Sequence, residues 1–213
     1  MNRLHTDLLQ EAYGPVSIRL LRHDNEVREA HLVDRQGISR TFAVTFLAPP
    51  YPQELARIDA EIREGAPIGK TFRRYGYEVR KNVLKALAVE LPAWLRNEFA
   101  HPSLFAKALL SEFLARVDAR PPELYGTVVE IYSPDFRSPA ITETDRTQEG
   151  PTLKSLGAAG IPPDEAWQRL GGDPAYDRAD PRYLVASNLC HRDIIFMIKR
   201  LAALLERGQQ RTK

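Results

Sequence analysis

Three short segments in which apolar residues recur at every second position constrain this chain most. Val16, Ile18 and Leu20 share one face of Pro15 to Leu21, Val27 to Val33 alternates in the same way, and Phe42, Val44 and Phe46 share a face of Arg40 to Phe46. His23-Asp24-Asn25 separates the first two segments, and Gln36-Gly37 offers a positive-φ position before the third. Segments of period two joined this closely form a β-meander. The next stretch, Tyr51 to Glu64, changes period: Leu55, Ile58 and Ile62 fall on one helical stripe that opens with Pro52 and stops at Gly65 and Pro67. With the short helix expected over Leu4 to Tyr13, this predicts an α+β domain, a curved antiparallel sheet flanked by helices.

Further along, Tyr75 to Lys81 reads as a strand. The spacing then predicts a helical insertion over 83–121, with helices at Val83 to Phe99, interrupted by Pro92, and at Leu104 to Val117. Leu124 to Tyr132 and Arg137 to Asp145 read as a closing hairpin around Ser133-Pro134-Asp135. Residues 148–181 are rich in Gly, Pro and Asp and read as an irregular connection holding one short helix, Pro163 to Leu170. The final element, Tyr183 to Arg207, carries Ile194, Ile198, Leu201 and Leu205 at helical spacing. That extension must pack on the domain or on a second copy, which makes a homodimer through this helix one reading.

Composition narrows the functions. A net charge of +2 in 213 residues announces no nucleic-acid surface, and the basic end Arg207 to Lys213 reads as a solvated tail. No apolar run reaches the length of a membrane span, and Met1 to Gln10 lacks the apolar core of an export signal, so the expected location is the cytoplasm. Cys190 is the single cysteine, which excludes an internal disulfide. The five histidines show no ligand spacing, so no structural metal is expected.

Alternation places Arg28 on the face of Ala30 and Leu32, away from Glu29 and His31. A guanidinium among apolar neighbours needs an anion, either a ligand carboxylate gripped through two charge-assisted hydrogen bonds or an internal Asp or Glu. Glu143 shares a strand face with Ile141, where partial desolvation would raise its pKa and suit it to proton transfer; alternatively it pairs with Arg28. Gly65-Ala66-Pro67-Ile68-Gly69-Lys70-Thr71 has one residue too few between its glycines for a phosphate-binding loop and follows a helix. His191-Arg192-Asp193 matches a kinase catalytic fragment without the rest of that signature and reads as helix surface.

In order along about residues 4–146, Pro15-Val16-Ser17-Ile18-Arg19, Arg28-Glu29, Ser39-Arg40-Thr41, Pro67-Ile68-Gly69-Lys70, Leu124-Tyr125-Gly126 and Ile141-Thr142-Glu143 resemble the chorismate lyase family. The resemblance implies a cofactor-free enzyme that eliminates pyruvate from chorismate or a related enolpyruvyl acid to give a hydroxybenzoate, as in ubiquinone biosynthesis. It implies Arg28 for the ring carboxylate and Glu143 for the hydroxyl end. It also implies Ile68 and Gly69 for a backbone contact, His5 for a second contact, and Arg40 for a second carboxylate, with outward pairing of Arg40 the alternative. The chain departs from the family at Thr127-Val128-Val129, where the family carries arginines, and in the 83–121 insertion and the extension beyond 147. A different function is compatible with the same fold: a non-catalytic module that senses small aromatic acids, as in effector domains of some transcription regulators.

Overall fold

The computed structural model describes residues 4–118, 120, 122–136 and 191–208, without the side chains of 82–87 and 191–198. Helix α1 (His5–Tyr13) leads into strands β1 (Ser17–His23), β2 (Val27–Val33) and β3 (Ser39–Leu47), the expected meander. Asp34 closes the β2–β3 turn by accepting the amides of Gln36 and Ile38, and Gly37 supplies the positive φ of 80°. Helices α2 (Gln53–Arg63) and α3 (Ile68–Arg74) follow, then β4 (Glu78–Glu90), α4 (Ala93–Phe99), β5 (Phe105–Arg116), β6 (Glu123–Tyr132) and α5 (His191–Gly208). The described strands form one antiparallel sheet in the order β1-β2-β3-β6-β5-β4. The α+β class holds.

The helical insertion does not. Where two helices were expected over 83–121, the chain forms the long strands β4 and β5, paired along their lengths from Glu78↔Arg116 to Glu90↔Phe105, with only α4 helical between them. Burial explains the error. In β5, Ala106, Ala108 and Leu110 meet one helical layer while Leu109 and Phe113 meet the other, so apolar residues run on without the alternation that marks a one-sided strand. Such a run of Ala and Leu reads as helix, and strand pairing overrides the propensity.

Helices cover the sheet on both faces. Phe42, Val44, Phe46, Ala108, Leu110, Val129 and Ile131 pack against Leu95 and Phe99 of α4 and Leu201, Leu204 and Leu205 of α5. At about 1.5–3 kcal/mol per fully buried large side chain, these three leucines fasten α5 to its own sheet, and Trp94 donates from Nε1 to the Leu205 carbonyl at 2.9 Å. The stripe predicted on this helix is therefore used within the chain for Leu201 and Leu205, whereas the side chains of Ile194 and Ile198 lie outside the described residues. The opposite face carries α2 and α3 over Phe113, Ala115, Tyr125 and Val128, and α1 over Leu32, Ala43, Leu109 and Tyr132. The strand expected at Arg137 to Asp145, the 148–181 connection with its short helix, and residues 183–190 also fall outside the described residues. Among the described residues no helix is long and apolar enough to cross a membrane.

Candidate functional site

A cavity of about 70 Å³ opens between the sheet and the layer formed by α1 and α3. Its floor is built by sheet register. Arg28 pairs with Thr45 and Thr45 with Val128; in the adjoining row Ala30 pairs with Ala43 and Ala43 with Glu130. Residues two apart point to the same face, so Arg28 and Glu130 stand on one surface, two strand spacings and two residues apart. Strand spacing and rise make that roughly 12 Å between Cα atoms. Both side chains enter the cavity, and Ile18, Leu32, Ala43, Phe113 and Val128 supply its apolar lining. The result is an apolar slot with a cation at one end and a carboxylate at the other.

Arg28 is only 3% exposed. Its Nη2 donates to the Ala66 carbonyl over a long 3.4 Å, and its Nε has no hydrogen-bond partner among the described residues. Burial pulls its pKa down, against the favourable fields of Tyr125 and Asp59. Asp59 cannot serve as its partner in full, because it already accepts from the Tyr125 hydroxyl at 2.6 Å and from Arg63 Nε at 2.7 Å. Beside Arg28, Thr45 Oγ1 is also buried without a hydrogen-bond partner among the described residues. A buried guanidinium in this state has room for an anion, and the sequence argument that turned it inward is borne out.

At the other end Glu130 pairs with Lys81 and accepts from the Tyr132 hydroxyl at 2.9 Å. Burial works to raise its pKa, but Lys81, His5 and the Tyr132 hydrogen bond outweigh it and hold the carboxyl at about 2. His5, from the first turn of α1, shares a hydrogen bond with Thr41 through Nε2 at 2.8 Å and packs edge-on against Tyr132. Burial lowers its pKa to about 4, with Glu130 opposing and Lys81 assisting, so the imidazole is neutral at pH 7.

Four of the residues singled out in the sequence line this cavity: His5, Arg28, Ile68 and Gly69. Gly69 also has a packing role. A Cβ there would lie 2.8 Å from Leu4 Cδ2, so the missing side chain lets the start of α1 close down on α3. Arg40 is not part of the site. It donates to Asp34 at 2.8 Å and to Asp135 at 3.1 Å and stacks over Tyr13 at 4.2 Å, the outward pairing that was the alternative. Glu143 lies outside the described residues. Lys81 and Glu130 were missed: Glu130 follows from the alternation already used for Arg28, since it shares a strand face with Val128 and Tyr132, but Lys81 sits where the strand was expected to end. No group of three or more potential metal ligands occurs among the described residues. No protein-family model and no curated protein matches the chain.

Proposed function

We propose that the cavity binds a small aromatic carboxylic acid and that the chain is a chorismate lyase-like enzyme, eliminating pyruvate from chorismate or a related enolpyruvyl acid. One observation carries this reading: a buried guanidinium without a carboxylate partner among the described residues faces a buried carboxylate across an apolar slot. Arg28 grips the ring carboxylate, and the apolar walls take the faces of the ring. Glu130 accepts a hydrogen bond from the ring hydroxyl, the task the sequence suggested for Glu143. Ile68 and Gly69, at the start of α3, supply backbone contact beside the carboxylate end. In the elimination the ether C–O bond breaks, the ring carbon bearing the hydroxyl gives up its hydrogen, and the departing enolpyruvyl fragment takes up one hydrogen to become pyruvate. Holding the ring rigidly at both ends supplies orientation, and the dry slot strengthens each polar contact.

A non-catalytic sensor of aromatic acids would use the same contacts, and an ionised Glu130 beside a neutral His5 at pH 7 suits binding as well as catalysis. Turnover separates the two. Incubation of the pure protein with chorismate, resolved by chromatography, is expected to yield a hydroxybenzoate and pyruvate in equal amounts. Unchanged chorismate together with tight hydroxybenzoate binding would leave the sensor; neither turnover nor binding would overturn both.

A further inference from the structure

The Lys81–Glu130 pair has no counterpart in the sequence argument, and its placement bears on which acids the cavity accepts. Glu130 is 7% exposed and Lys81, on β4, the outermost of the described strands at that side, keeps 29% of its side chain in solvent, so the pair runs from the outer side of the described sheet to the cavity interior. A buried carboxyl alone would take up a proton and become a hydrogen-bond donor as well as an acceptor. It could then receive a second carboxylate. With Lys81 on Oε1 and the Tyr132 hydroxyl donating to Oε2, it stays an acceptor only. The other groups facing it do not reverse this: His5 from α1 is neutral at pH 7 and favours the ionised carboxylate once protonated, Arg28 across the slot is a cation, and its neighbours across the sheet, Ala43 on β3 and Leu109 on β5, are apolar.

We propose that Lys81 is a specificity-determining residue: by keeping Glu130 ionised, it makes that end of the cavity accept a neutral hydrogen-bond donor, a phenolic hydroxyl or aromatic amine, and reject a second carboxylate. Lys81 acts through Glu130 and is a positioning residue. The ligand class rests on the aromatic-acid reading, whereas the charge on Glu130 does not.

Two measurements at matched conditions test this. The ¹³C shift of the Glu130 side-chain carboxyl, followed from pH 4 to 8 without ligand, is expected to be flat in the native protein, to titrate within that range in Lys81→Met, and to be flat again in Lys81→Arg. At pH 7, 4-hydroxybenzoate and 4-aminobenzoate are expected to bind the native protein at least ten-fold more tightly than 4-methoxybenzoate or terephthalate, with the gap narrowing to under three-fold in Lys81→Met. Lys81→Gln repeats the comparison should the methionine variant not fold. A native Glu130 that titrates between pH 4 and 8, a flat Lys81→Met, or native binding of terephthalate equal to that of 4-hydroxybenzoate overturns the proposal. If none of the four acids binds, the aromatic-acid reading fails and takes the specificity with it, while the carboxyl titration still reports separately whether Lys81 sets the charge.

Discussion

Arg28→Met should make the ligand-free protein more stable while destroying its binding. The guanidinium sits 3% exposed with one long 3.4 Å hydrogen bond and an unpartnered Nε. Methionine matches the aliphatic stem and removes the desolvated charge. Replacing buried charge by apolar groups of similar volume is typically neutral or stabilising by about 1–4 kcal/mol. For a chain of this size each kcal/mol raises the melting temperature by roughly 2–4 °C. Binding moves the opposite way: loss of a desolvated, charge-assisted contact costs about 2–5 kcal/mol, or roughly 30- to 5,000-fold in Kd. Urea denaturation with an unchanged m-value gives the first quantity, and calorimetry with 4-hydroxybenzoate gives the second. A variant destabilised by about 2 kcal/mol or more would refute the reasoning, for it would mean that Arg28 is satisfied within the chain.

Gly126→Ala should be strongly destabilising, because a Cβ at that position falls 2.5 Å from the Phe46 carbonyl oxygen in the paired strand; overpacking of this kind costs about 1–3 kcal/mol, and a variant with native melting behaviour would contradict the β3–β6 register. Truncation before Tyr183 removes the contacts of Leu201, Leu204 and Leu205 and bares the sheet face under α5, so the melting temperature should fall; unchanged melting would show that α5 adds nothing to the domain. Stability should also decline as pH drops below about 6.5. Burial holds the folded pKa of His5 at about 4, and burial with Arg19 nearby holds that of His31 at about 3. Both are depressed, so the unfolded chain takes up protons first and each group costs up to about 1.4 kcal/mol per pH unit. Denaturation at pH 7 and pH 5 checks this, and equal stability at the two would contradict the burial of both imidazoles.

Much of the site was legible because β2 obeys a local rule. Alternation alone turned Arg28 towards Ala30 and Leu32, and pairing then placed it in the cavity floor. Gln36-Gly37 and the Leu55, Ile58, Ile62 stripe were equally local and came out as expected. What failed depends on contacts distant in sequence. β5 escaped recognition because helices cover both faces of the sheet there and erase the polar half of the alternation, and β4 was read as a strand only as far as Lys81. Arg40 was ambiguous because its partners lie 6 and 95 residues away. Lys81 and Glu130 are separated by 49 residues and meet only once β5 has paired with both β4 and β6, so no motif could have joined them.

The claim that an aromatic acid lies between Arg28 and Glu130 is tested most directly by titrating a methyl-labelled protein with 4-hydroxybenzoate and following its Ile, Leu and Val methyl resonances. The account predicts saturable shifts concentrated on Leu4, Ile18, Leu32, Ile68 and Val128, which line the cavity, and little change at Leu201, Leu204 and Leu205 on the opposite face of the sheet. Saturable shifts on that opposite face, or none at millimolar ligand, would contradict it.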